Sequence, residues 1–372
     1  MAGIYVHIPF CKKACNYCNF HFSTKKNYSE LVNSILKEIE LNQKSFDENI
    51  ISTIYFGGGT PSIIDSFFIE KIINKLNKYH TINQNCEITL EANPDDITIK
   101  KLNFWKKIGF NRISLGVQSF NDNILIRINR SHNSNQAINA INRIQEIFNN
   151  FSIDLMFGTP LSNTKTILLD LKKLKEIRPP HVAIYNMTVE KDTKMYTLIK
   201  KNKIVLPTDD EVIKQYDIIL EKMLEMDYEN YEISNFSKRG FISKHNSNYW
   251  KNEKYIGYGP GAHSYDKENR YWNINDNEKY IKSINNNNLV YSKEKLKNKE
   301  KINEYILTRI RTSWGIDTDE MKSNFDFNLL QEKNKVLELL TTNMLISQNK
   351  NKIKLTNKGK KIADHITEKI MI

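Results

Sequence analysis

Along the first half of the chain, short runs of β-branched and aromatic residues alternate with longer stretches whose apolar residues recur at helical spacing. The runs occupy 3–9 (GIYVHIP), 52–56 (STIYF), 87–92 (EITLEA), 112–117 (RISLGV), 152–157 (SIDLMF) and 181–186 (HVAIYN). Between them lie YSELVNSILKEIELNQKSF, SFFIEKIINKLNKYH, ITIKKLNFWKKIGF, NSNQAINAINRIQEIFNN and TKTILLDLKKLKEIRPP. Side chains return to one face every two residues in a strand and every three to four in a helix, so the runs predict strands and the stretches between them helices. Read as near-continuous apolar segments, the runs suit parallel strands buried on both faces. Six βα units are fewer than a closed eight-stranded barrel needs. The expected fold is α/β: a partial (β/α)6 barrel over residues 1–235, with a doubly wound open sheet as the alternative.

Residues 236–290 are rich in Gly, Tyr and Asn and read as an irregular connection. From 291 to 372 the pattern turns helical, then gives a short hairpin around LISQNKNKIKL and a last helix. That order predicts a smaller, mainly helical, winged-helix-like C-terminal domain. Such folds often bind DNA, but a fold does not fix a function.

With 372 residues, 40% of them hydrophobic, the chain can bury a large core. Its net charge of +12 comes mostly from Lys scattered among Asn and Ile rather than focused in a patch, so no nucleic-acid partner is expected. No apolar stretch has the length of a membrane span or the layout of a signal peptide, and the first strand begins almost at Met1. The expectation is a cytoplasmic protein. Four cysteines are too few for a disulfide framework in a chain of this size, and three of them, Cys11, Cys15 and Cys18, fall within eight residues. Clustered thiols in a reducing compartment bind metal or do redox chemistry. Cys86, alone in a strand-like run, reads as a buried inert thiol.

Active sites of parallel α/β folds sit at the carboxyl ends of the strands. The cysteine cluster follows the first run and GGGTPS (57–62) the second. Glu91, Gln118 and Asp154 lie at the third to fifth, and the sixth ends at Tyr185 and Asn186. Each has an ordinary structural explanation taken singly, as a turn, a cap or a solvated side chain. Their shared rim predicts one site facing the thiols. The spacing C-x3-C-x2-C leaves two readings open. Zinc sites close with four ligands, which His7 or His21 would have to complete. A [4Fe–4S] cluster normally takes four thiolates, so three leave one iron open for a substrate or cofactor.

This cysteine motif after the first strand of a βα repeat resembles the signature of the radical S-adenosylmethionine (SAM) superfamily. There the open iron is chelated by SAM, and one-electron reduction yields a 5′-deoxyadenosyl radical. YVHIPFC, FGGGTPS, EANPDD, SLGVQSFND, YEISNFS and NEYILTRIRTSWGI together resemble the HemN/HemW group, over about Ile4 to Gly315. The resemblance implies that Cys11, Cys15 and Cys18 ligate the cluster and that Tyr5 and Tyr17 flank SAM. It implies that Gly58, Gly59 and Thr60 let the backbone approach the amino-acid part of SAM. Glu91, Gln118, Arg130 and Asp154 match the group's polar SAM positions: carboxylates suit ribose hydroxyls or an ammonium, and a guanidinium suits a carboxylate. In one departure, the group's Leu-Gly-Arg-x-His is here Ile128-Asn129-Arg130-Ser131-His132. Asn tolerates left-handed backbone better than most residues, so the turn is expected to survive.

Two functions compete within the group. The oxygen-independent coproporphyrinogen III oxidase carries a fourth cysteine two positions after the third and an N-terminal extension. Here Phe20 stands at that position and two residues precede Gly3. Both departures resemble the haem-chaperone branch. So does HNSNYW, from His245 to Trp250, which matches its His-Asn-x-x-Tyr pattern. The resemblance implies haem as a third cofactor, held by His245 and Tyr249, with His263 a weaker candidate and His7 supporting the cysteine loop. It also implies haem-accepting apo-proteins such as respiratory enzymes as partners, and a cluster-dependent homodimer. The rivals are a radical enzyme, the oxidase foremost, and a degenerate cluster-binding or nucleic-acid-binding module. Catalytic residues are not legible.

Overall fold

In a computed structural model, residues 2–25, 27–42 and 50–372 are described. The six runs form β1 (Ala2–Ile8), β2 (Ile51–Gly58), β3 (Ile82–Ala92), β4 (Arg112–Gln118), β5 (Phe151–Phe157) and β6 (His181–Asn186). All six are parallel and adjacent in chain order. A doubly wound sheet requires a reversal of strand order. No reversal occurs from β1 to β6, so each crossover steps the same way and the helices gather on one face, giving a partial (β/α)6 barrel. The helix expected to run to Phe46 spans Tyr28–Leu41; positions 43–46 lie outside the described residues.

The strands are not apolar on both sides. Ile4, Val6, Ile54, Phe56, Leu90, Ile113, Leu115, Ile153, Leu155, Val182 and Ile184 point outward into a core shared with the helices. The alternate positions Tyr55, Glu91, Arg112, Ser114, Ser152, Asp154, His181 and Tyr185 line the lumen. The pattern is period two, apolar outside and polar inside. The polar members of each run are what distinguish a barrel with a working interior from a sheet buried on both faces.

Residues 236–290, read from sequence as irregular, extend the barrel sheet instead. β7 (Glu229–Asn230) and β8 (Asn235–Ser237) add antiparallel to β6. Across the sheet, β9 (Lys254–Tyr258) pairs in parallel with β1, and β10 (His263–Tyr265), β11 (Asn269–Asn273) and β12 (Tyr291–Lys295) follow antiparallel, making twelve strands. β12 falls in the stretch assigned to the C-terminal domain, yet it belongs to this sheet. Beyond it, Ile302, Ile306, Ile310, Met321, Leu337, Ile353 and Ile366 form a separate core. Helix Asn298–Ile310 leads to β13 (Ile316–Asp317), then come helices and the hairpin of β14 (Ile346–Asn349) and β15 (Lys352–Leu355). The strands pair in the order β13–β15–β14, which gives the helix–strand–helix–hairpin arrangement of a winged helix. Among the described residues no helix is long and apolar enough to cross a membrane.

Candidate functional site

The loop after β1 carries three free thiols, Cys11, Cys15 and Cys18. They face one cavity of about 170 Å³, lined also by Tyr17, Phe20, Gly58, Gly59, Thr60, Glu91, Gln118, Arg130, Asp154 and Tyr185. The loop is tied down from several sides. Cys11 N–H donates to the Ser23 carbonyl at 3.0 Å, and Asn16 N–H to the Ile128 carbonyl at 3.1 Å. Lys12 donates to Asp95 at 2.9 Å and pairs with the buried Asp96. His7, behind the loop, donates from Nε2 to the His21 carbonyl at 3.0 Å, which leaves Nδ1 to accept from the Tyr5 hydroxyl at 3.1 Å. Burial lowers its pKa to about 4, so this neutral tautomer is the one present at ordinary pH.

The glycine-rich loop packs against the cysteine loop. Gly58 has φ +108°, and a Cβ there would sit 2.6 Å from the His7 ring. A Cβ on Gly59 would lie 2.6 Å from the Phe10 carbonyl oxygen. Both glycines therefore serve the approach of the two loops, and both also line the cavity. Thr60 N–H donates to the Phe10 carbonyl at 2.7 Å, and its hydroxyl to the Cys11 sulfur at 3.5 Å.

Arg130 reaches across the cavity floor. One terminal nitrogen donates to the Cys15 sulfur at 3.4 Å; the other donates to Asn93 Oδ1 and the Gly116 carbonyl, each at 2.7 Å. Its Nε is buried without a partner. The turn that delivers it survives the loss of glycine: Asn129 has φ +65°, and its amide donates to the Ala14 carbonyl at 2.6 Å. The asparagine thus adds a tie to the cysteine loop that a glycine cannot make. Gln118 also has positive φ, +69°, next to a register shift between β4 and β5. This strained backbone turns its amide into the cavity, where Oε1 accepts from the Tyr185 hydroxyl at 2.6 Å.

Glu91 accepts from the Tyr55 hydroxyl at 2.7 Å, and Asp154 from the Ser114 and Ser152 hydroxyls. Burial raises the two acids to about 7 and about 6. It also pushes the Cys11 thiol up to about 11 and raises Cys18. Thiolates form when thiols bind a cluster, so a cluster held here would displace protons from these thiols. Three unpaired thiols around one cavity, an orphaned guanidinium N–H and two acids with spare acceptor capacity fit an iron–sulfur cluster with SAM. Among the described residues, no three His, Cys, Asp or Glu side chains close on a point that would hold a single ion.

Of the positions expected at the site, Cys11, Cys15, Cys18, Tyr17, Gly58, Gly59, Thr60, Glu91, Gln118, Arg130 and Asp154 meet at this cavity. Tyr5 does not: it faces a separate cleft with Tyr249 and His263. His245 lies toward the other end of the barrel, beside Gly3 and Thr53, and Tyr249 reaches from it to that cleft. Helix Lys244–Trp250 closes that end, with the Glu87 carboxylate accepting from the backbone of Lys244 and His245 at 3.1 and 3.0 Å. The His245 ring is 2% exposed and stacks on Tyr55. Its Nδ1 is bonded to the Thr53 hydroxyl at 2.8 Å and its Nε2 to the Tyr249 hydroxyl at 2.9 Å. In this conformation it offers no free nitrogen to iron.

Sequence reading missed the second cavity, about 600 Å³, which continues from the thiols into the lumen past Tyr55, Arg112, Ser114, Ser152 and His181. Arg112 is 1% exposed and its Nε has no partner. The signal was present as the polar alternation along the β4 and β5 runs.

Residues 5–174 match the family model of the radical SAM superfamily, and residues 296–361 that of the HemN C-terminal domain. The chain is 32% identical over 371 residues to the heme chaperone HemW of Bacillus subtilis, covering 98% of each chain. It is 37% identical to the heme chaperone HemW of Buchnera aphidicola from Schizaphis graminum, over 70% of this chain and 69% of that one. Its fold superposes on coproporphyrinogen III oxidase (HemN) from Escherichia coli, a radical SAM enzyme, with a TM-score of 0.86 at 20% identity, over 100% of this chain and 90% of that one. Parallel barrel, three-thiol mouth, HemN-type C-terminal domain and near full-length likeness agree: the chain belongs to the HemW family of radical SAM proteins.

Proposed function

We propose that this protein is a haem chaperone that binds a [4Fe–4S] cluster, SAM and haem and hands haem to acceptor apo-proteins. The observation that carries the reading is the near full-length match to proteins named heme chaperone HemW. Phe20 supports it: it is 73% exposed at the cavity mouth, where the oxidase branch has a fourth thiol. In this reading Cys11, Cys15 and Cys18 hold the cluster. Arg130 receives the SAM carboxylate, while Glu91, Gln118 and Asp154 take its other polar groups. Bound together, cluster and SAM supply one-electron chemistry. The residues of the chain orient SAM, and the lumen walls limit water around it.

A second reading, a radical enzyme acting on a substrate, is supported by the lumen cavity of about 600 Å³ with its unpartnered Arg112. Transfer separates the two. Haem-loaded protein, mixed anaerobically with a haem-free respiratory enzyme, should pass its Soret absorbance to the acceptor faster than free haem binds it. Transfer no faster than the free-haem control contradicts the chaperone reading.

A further inference from the structure

We propose that haem binds in the cleft formed by β1, β9, β10 and β11 beneath the end of the cysteine loop, with the imidazole of His263 as iron ligand; this rests on the chaperone reading above. The cleft measures about 490 Å³. Tyr5, Tyr249, Tyr255, Trp272 and Phe20 contribute its aromatic surface. Aromatic faces are the natural surroundings of a flat, largely apolar macrocycle, which stacks on them and leaves water.

Imidazole ligates iron only through a nitrogen that is free. Of the chain's eight histidines, His7, His181 and His245 have both ring nitrogens engaged; His132 is buried with Nε2 bonded to the Val117 carbonyl, and His80 bonds the Tyr258 hydroxyl through Nε2. His21, which also lines the cleft, uses Nε2 to bond Asn277 at 2.7 Å. His263 is exposed, and neither of its nitrogens has a hydrogen-bond partner among the described residues. It is held by stacking on Trp272, its cross-strand neighbour, at 6.3 Å between centroids and 29° between planes. Partial desolvation against the cleft wall and the nearby Arg270 charge lower its pKa, which favours the neutral, ligating form. His365 is the competing exposed imidazole; it lines a cavity at the C-terminal domain bordered by Arg311, Lys360 and Lys361.

Proximity to the cysteine loop favours the His263 cleft. Phe20 borders the thiol cavity, the lumen cavity and this cleft alike. A macrocycle seated here would lie one aromatic ring away from the cluster and SAM. The position that carries a thiol in the oxidase branch would then serve as a partition between the two cofactor sites.

The test is a titration of the full-length, cluster-reconstituted protein with hemin, followed by Soret absorbance and, after reduction to the ferrous form with dithionite, by resonance Raman. Wild type and the His263→Ala, His245→Ala, His365→Ala and Phe20→Ala variants are compared, with thermal melts of each apo-protein as a folding control. His263→Ala should weaken binding about tenfold or more, as expected for loss of a ligand, and lose the iron–histidine band. Added imidazole should restore that band. Phe20→Ala should weaken binding and keep the band. If His263→Ala matches wild type, or only His245→Ala or His365→Ala loses the band, the site is wrong and the chaperone reading stands. If wild type shows no saturable hemin binding, both fall.

Discussion

At the scale of single residues, the site depends on thiols whose number is fixed by one substitution and whose loop is held by another. Phe20 leaves the cysteine set at three, and Asn129 both adopts the left-handed turn and ties Ala14. Cys15→Ser should abolish the visible absorption of the anaerobically reconstituted cluster; a variant that keeps the full spectrum would remove the cluster assignment. Asn129→Ala should cost about 1–2 kcal/mol in chemical denaturation, from a left-handed alanine and a lost hydrogen bond together. Asn129→Gly should recover the backbone part of that loss alone. Equal stability of all three proteins would show that neither feature matters. The thiols and the glycines were legible because each falls where a strand run ends, and Glu91 and Asp154 because each is an acid set within an apolar run. His245 shows the opposite. Its motif is visible in sequence, and so is its neighbour Tyr249, but its burial, its stacking on Tyr55 and its bond to Thr53 depend on a strand nearly two hundred positions earlier.

At the scale of elements, the order of six strands followed from periodicity, and the lumen did not. Apolar content was read along the runs, whereas the informative quantity was its alternation: Arg112, Ser114 and Gly116 against Ile113, Leu115 and Val117. β7 to β12 were missed for a different reason. They are two to five residues long, too short to show a period, and every residue of β12 is exposed. Glu38 holds the first helix to this added region. Its carboxylate accepts from the Gly259 N–H at 2.8 Å, the Asn273 amide at 2.6 Å and the Tyr280 hydroxyl at 2.5 Å. Burial raises its pKa from 4.5 to about 7. An acid whose folded pKa is raised contributes stability below its unfolded value and loses it as pH rises through the folded one. Glu38→Gln removes this proton linkage. Relative to wild type, its stability should therefore rise between pH 5 and pH 8, by an amount bounded on the order of 3 kcal/mol and read as a rise in melting temperature. A constant difference between the two proteins across that range would contradict the buried-acid account. Neutral His7 and His132, both lowered to about 4, act in the other direction. Their contribution is lost as pH falls below the ordinary imidazole value, in both proteins alike.

At the scale of the whole molecule, one sheet joins three sites: the thiol mouth, the lumen behind it and the aromatic cleft beside it. The barrel strands line the first two, and the third lies between β1, the cysteine loop and the short strands after residue 250. The HemN-type C-terminal domain has its own core and touches the barrel near Tyr231, Trp314 and Lys360. The same fold serves a coproporphyrinogen III oxidase in a structural relative, so the fold alone does not decide between an oxidase and a haem chaperone. The most direct decision comes from one anaerobic sample of the reconstituted protein, titrated with haem and assayed alongside for loss of coproporphyrinogen III in the presence of SAM and a reductant. The chaperone account predicts saturable haem binding near one per chain and no loss of coproporphyrinogen III. Turnover of coproporphyrinogen III with little haem binding would contradict it and make the protein an oxidase despite Phe20.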